Sequence, residues 1–132
     1  WRCAKMMRPK KIATAERQQR EKAGRQAERA AVWLLRFKGY RILAQRYRVP
    51  VGEIDIVAKR GRTVAFIEVK ARATEAAALE SVTVRQQQRI ARAALLFLQK
   101  NPAHSHCDLR FDVIAVARRK WPRHHLDAWR ES

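Results

Sequence analysis

The chain has 132 residues, is 47% hydrophobic, and carries 30 Lys and Arg against 12 Asp and Glu, a formal net charge of +18. That length suits one domain, the apolar content excludes full disorder, and the basic surplus disfavours a cationic partner and favours a polyanion such as nucleic acid. No apolar run approaches the ~18 residues of a membrane span, and none follows the basic N-terminus as a signal peptide would.

Residues 1–13 read as a flexible basic arm, because Trp1 to Ile12 lack apolar periodicity and include Pro9. A single domain is expected over 14–132. Charge is not confined to the arm: residues 1–25 hold nine basic and two acidic side chains, and the remainder 21 and 10. A helix is expected from about Thr14, the candidate N-cap, with Ala27, Ala30, Ala31, Leu34 and Leu35 on one buried face and Gly39 as the left-handed C-cap. A strand over 41–48 is a weaker expectation. Val49 to Ala58 and Thr63 to Val69 form an expected antiparallel hairpin, with Gly61 supplying positive φ.

A second helix is expected from Thr83 to Gln99, with Ile90, Ala94, Leu95 and Leu98 on one side and Asn101-Pro102 stopping it. Leu109 to Ala117 reads as a buried strand, placed parallel to Thr63–Val69 by a helical crossover. His124 to Trp129 reads as a short edge strand. Trp33, Phe37, Phe97 and Phe111 fall at core spacings. Tyr47, Trp121 and Trp129 could stack on bases, although packing is the favoured role. The cysteines, Cys3 and Cys107, fit no disulfide or metal framework, so a cytoplasmic, reducing setting is the default. His104, His106 and Cys107 lie too close in sequence for a tetrahedral zinc site unaided.

The few carboxylates are the informative residues. Alternation puts Glu53 and Asp55 on one face of the first hairpin strand, and Glu68, Lys70 and Arg72 on one face of the second. Glu68 interrupts an otherwise apolar segment, and a buried carboxylate needs a partner, a proton or a metal. Counting back from Gly61, Asp55 and Glu68 fall nearly opposite each other. Two carboxylates at close range repel unless a cation lies between them, and oxygen-only ligands suit Mg²⁺ or Mn²⁺. Lys70 adds an ammonium on the same side. The alternative is structural: Glu68 paired with Lys70 or Arg72, and Asp55 with a nearby Arg.

Asp55 followed thirteen residues later by Glu68-Val69-Lys70 resembles the PD-(D/E)XK nuclease signature. The wider set Gly52-Glu53-Ile54-Asp55, Phe66-Ile67-Glu68-Val69-Lys70-Ala71-Arg72 and Arg110-Phe111-Asp112-Val113 resembles the YraN family of small bacterial nuclease-like proteins, related to Holliday junction resolvases. The resemblance implies an α/β, restriction endonuclease-like three-layer core with a central mixed β-sheet of four or five strands flanked by helices. It implies Asp55, Glu68 and the Val69 carbonyl as ligands of Mg²⁺ or Mn²⁺, Lys70 as the catalytic lysine, and Glu28 as the helix glutamate that reaches the metal. An exposed Glu28 paired with Arg25 or Arg29 is the ordinary alternative. Gln86 falls in the second helix, where related nucleases carry a polar site residue. The family usually shows Pro and Lys at Val84 and Gln86, Asn at Arg46, and Phe-Gly at Ala77-Ala78, so the substrate-side decoration departs from the pattern.

For nucleic-acid contact the candidates are Arg72, Gln86, and Arg85, Arg89 and Arg92, the last three repeating at helical spacing. Such contacts position a polyanion without reading its sequence. Asp112, between Phe111 and Val113, is expected to be a hydrogen-bonded structural aspartate. The leading expectation is a metal-dependent endonuclease hydrolysing phosphodiester bonds of branched or structured DNA, with a homodimer suggested by the two-fold symmetry of junctions. Its rivals are a non-catalytic DNA- or RNA-binding module on the same scaffold, and an RNA-associated structural protein.

Overall fold

The computed structural model describes residues 9–130, so residues 1–8 of the expected arm, including Cys3, lie outside the described residues. Among the described residues helix α1 spans Pro9–Phe37, so the chain is already helical before the expected Thr14. Thr14 is therefore an interior helix position. The C-terminal end is as expected: Gly39 has φ 89, its N–H bonds the Arg36 carbonyl at 3.0 Å, and the Tyr40 N–H bonds Leu35 at 2.9 Å. This is the paired closure of a Schellman motif, which needs the left-handed conformation that glycine adopts without strain.

Strands β1 (Arg41–Val49) and β2 (Gly52–Arg60) pair antiparallel, as do β2 and β3 (Thr63–Arg72). Arg60 pairs with Thr63 across a two-residue turn in which Gly61 has φ 60. A six-residue helix, α2 (Glu75–Glu80), follows, with the Thr74 side chain accepting the Ala77 N–H. It is too short for a helical period to show in sequence. Helix α3 (Val84–Lys100) starts at the expected Thr83, whose side chain accepts the Gln86 N–H at 3.1 Å. After a 3₁₀ turn (Pro102–His104), β4 (Asp108–Ala117) runs parallel to β3, and β5 (Arg123–Trp129) returns antiparallel at the edge.

The strands form one mixed sheet in the order β1-β2-β3-β4-β5. Both faces are covered, which makes an α/β three-layer core. On one, Ala31 and Leu35 of α1 pack on Ile56, Ile67 and Ile114. On the other, Ile90, Ala94 and Phe97 of α3 pack on Val57 and Phe66. Fully buried side chains such as Phe66 and Leu35 each contribute roughly 1.5–3 kcal/mol by leaving water. Four apolar residues depart from their expected packing: Trp33 is 70% exposed, Phe37 91%, Leu95 61% and Trp121 88%. The apolar stripes on α1 and α3 are wider than the strip each helix can press against a twisted sheet. Among the described residues, no helix is long and apolar enough to cross a membrane.

Candidate functional site

The β2–β3 register pairs Ile56 with Ile67, and one further step sets Asp55 across from Glu68. There the ladder opens, and Asp55 Oδ2 accepts the Val69 N–H at 2.8 Å. The site thus uses Val69 as a backbone donor to Asp55, which fixes that carboxylate's second-strand neighbour. Glu68 is only 7% exposed. Burial pushes its carboxyl up to about 9, with the nearby Asp55 charge and a hydrogen bond to Asp55 adding to the rise and Lys70 opposing it. Lys70 Nζ stands 3.8 Å from Glu68 Oε1, in a largely buried position. The two acids and the ammonium therefore stand close together on the sheet.

Glu28 arrives from α1, but its partner is neither Arg25 nor Arg29. Its Oε2 accepts Arg46 Nε at 2.9 Å. The β1–β2 register pairs Gln45 with Ile56 and Tyr47 with Ile54, which sets Arg46 across from Asp55. Arg46 has φ 51, a left-handed conformation that Asn adopts more readily than Arg. The bond to Glu28, and next the charges of Glu28 and Asp55, hold the Arg46 proton more firmly than usual. Among the described residues, no group of three or more His, Cys, Asp or Glu side chains stands together as a ready ligand set. Glu53 is exposed and lies 3.4 Å from Arg48.

Asp55 and Glu68 nevertheless fit a hard divalent cation. They present facing oxygen donors, and the buried one is pushed towards its protonated form chiefly by burial and then by the Asp55 charge, which Lys70 only partly offsets. A cation binding there would take that proton's place.

Gly52 positions the motif. A Cβ at Gly52 would collide with the Arg89 backbone, lying 2.7 Å from its carbonyl carbon, so only glycine lets α3 approach the start of β2 this closely. Arg85, Arg89 and Arg92 are exposed on α3, and Gln86 is half-buried beside them. Arg72 ends β3 in an exposed position, lining a groove with Arg118, Arg119 and Lys120 of the β4–β5 turn. Neither these three nor Arg46 were singled out as binding residues by sequence; the Arg-Arg-Lys run was a visible signal without a location.

Asp112 is fully buried and structural. Arg110 binds both its oxygens at 2.8 Å, His124 Nε2 lies 2.8 Å away, and the Asp127 N–H donates at 2.9 Å. Burial alone would raise its carboxyl, but hydrogen bonds from His124, Arg110 and Asp127 hold it below the ordinary 3.8. Phe97 is buried, Trp129 stacks on Phe111 with centroids 5.4 Å apart, and Tyr47 packs edge-on against Phe97.

Residues 27–116 match the family model described as uncharacterised protein family UPF0102. A UPF0102 protein of Parvibaculum lavamentivorans is 52% identical over 107 residues, covering 81% of this chain and 80% of that protein. One from Bradyrhizobium diazoefficiens is 51% identical over 119 residues, covering 90% of each. One from Maricaulis maris is 47% identical over 116 residues, covering 88% of this chain and 91% of the relative.

Proposed function

Because the chain belongs to the UPF0102 family, whose description names no activity, its function must be read from its side chains, and we propose that it is a metal-dependent endonuclease hydrolysing DNA phosphodiester bonds. The observation that carries this is the opposition of Asp55 and Glu68 across the hairpin with Lys70 on the same side. Asp55 and Glu68 would hold one Mg²⁺ or Mn²⁺. Glu28 would join them if Arg46 swings away. The cation would supply charge neutralisation at the phosphate and ready deprotonation of water at neutral pH.

The protein's own contribution is positional and electrostatic. The Val69 N–H orients Asp55 before any substrate arrives. The Lys70 ammonium, held 3.8 Å from Glu68, would stabilise the negative charge that builds on the phosphoryl oxygens. The surrounding arginines bring the polyanion to the site. A basic surface of this kind binds branched DNA as readily as linear duplex, because its contacts are to phosphates.

A specific observation favours a second reading, a non-catalytic nucleic-acid-binding module. Arg46 already sets a guanidinium across from Asp55 and ties up Glu28. One assay separates the two. Linear, nicked and four-way-junction DNA are incubated with Mg²⁺, Mn²⁺ or EDTA, beside Asp55→Ala and Lys70→Ala. Cleavage that requires metal and disappears in both variants supports the nuclease. Binding without cleavage, unchanged in both variants, supports the module.

A further inference from the structure

Three large aromatic side chains stand in water on one side of the molecule. Trp33 is 70% exposed, Phe37 91% and Trp121 88%. With Ala30, Leu34 and Pro122 they line a cleft of about 590 Å³ between the end of α1 and the β4–β5 turn. Isolated exposed apolar residues are ordinary, but a cluster of aromatics around one cleft marks an interaction surface.

The cleft continues into the basic groove. Ala23 and Gln26 of α1 line the groove, and Ala30, Trp33 and Phe37 line the cleft, so the same helix walls both. Across from it, Arg118, Arg119 and Lys120 line the groove, and Trp121 follows them directly into the cleft. From Ala23 to Phe37 the helix rises about 21 Å, the length of on the order of six nucleotides at stacked spacing. At its other side the groove includes Arg72, two residues beyond Lys70 on β3.

We propose that this track binds an unpaired nucleic-acid strand, with phosphates along Arg72, Arg118, Arg119 and Lys120 and bases stacked on Trp33, Phe37 and Trp121. Duplex DNA hides its base faces and gives aromatic rings nothing to stack on. A single strand offers both a charged backbone and free π-faces, the combination this track presents. A second copy of the chain is a poor occupant, because it would bring another +18 of charge against the same arginines and lysine. The proposal rests on the nuclease reading and narrows it: the substrate is DNA with a single-stranded flap, tail or branch, whose unpaired arm lies on the track.

Fluorescence anisotropy on the full chain in EDTA tests this with three 5′-labelled probes: a thymidine 12-mer, an abasic 12-mer of equal charge, and a blunt duplex. The Trp33→Ala/Trp121→Ala variant removes two exposed rings and leaves the core intact. It should bind the thymidine strand about tenfold or more weakly and the duplex within about twofold of wild type. Wild type should bind the abasic strand as weakly as the variant binds thymidine. Equal affinities of wild type and variant for the thymidine strand would overturn the proposal. So would equal affinity of wild type for the thymidine and abasic strands. Gel filtration showing a wild-type dimer that the variant loses, with strand affinity unchanged, would assign the cleft to self-association instead. The nuclease reading is checked separately by metal-dependent cleavage of linear, nicked, flap or four-way-junction DNA lost in Lys70→Ala, so either idea can fail alone; no binding to any probe would sink both.

Discussion

Asp55 accepts the Val69 N–H at 2.8 Å, so a side chain on β2 occupies a place where a backbone carbonyl would otherwise continue the ladder to β3. The strand pair parts at Glu68 as a result, and the gap is where the two carboxyls meet. The acid pair is set by interrupting a sheet without leaving the freed donor unsatisfied.

The acid pair makes stability and metal affinity depend on pH in opposite senses. Glu68 has its carboxyl pushed up from 4.5 to about 9, chiefly by burial and then by Asp55. The folded state keeps a proton that the unfolded chain releases, so this group's contribution to stability is complete below about pH 4.5 and is lost as pH rises towards 9. Glu68→Gln removes the ionisable group and should raise stability at pH 8 by on the order of 1–2 kcal/mol, measured by urea unfolding, while weakening Mn²⁺ binding. In wild type, Mn²⁺ binding at pH 7 should release about one proton. Titration calorimetry in two buffers of different ionisation enthalpy reads that number directly, and a value of zero would exclude Glu68 as a ligand.

Arg46 holds a left-handed backbone conformation at φ 51 and pins Glu28. Asn adopts that conformation with less strain and carries no charge. Arg46→Asn should leave the melting temperature within a few degrees of wild type and tighten Mn²⁺ binding severalfold by freeing Glu28. Adding Glu28→Gln to that variant should return the affinity to the wild-type level. If Arg46→Asn leaves Mn²⁺ affinity unchanged, Glu28 has no part in the site.

Gly52 has the Arg89 backbone where a Cβ would go. Gly52→Ala must therefore push α3 away from β2, and overpacking of this kind costs about 1–3 kcal/mol or more. Thermal unfolding should show the loss, and hydrogen exchange should place it in α3 and the start of β2. A stable variant with native exchange would mean that the helix shifts freely.

Asp112 anchors Arg110, His124 and the Asp127 backbone with no exposure of its own. Asp112→Asn leaves Arg110 without its counter-charge and should cost about 3 kcal/mol, a drop of about 10 °C in melting temperature. The wild-type carboxyl lies below its ordinary 3.8, so its stabilisation is full above that pH and is lost as pH falls below it. A variant that melts within 2 °C of wild type at pH 7 would contradict this role.

What the sequence determined by itself was local and periodic. The Val/Ile runs around Gly61 fixed a hairpin whose residue count sets Asp55 opposite Glu68. Thr83 and Gly39 marked helix ends because capping is short-range hydrogen bonding, and a strand, helix and strand in succession implied the parallel β3–β4 pair. Tertiary structure decided what depends on approach between distant segments: that Arg46 rather than Arg25 or Arg29 takes Glu28, that the Arg89 backbone is what requires a glycine at Gly52, and that Trp33 and Phe37 face water although their spacing matches a core stripe. Periodicity states which side of an element a residue occupies. It does not state how far the neighbouring layer extends, and that distance is what sorted core from cleft here.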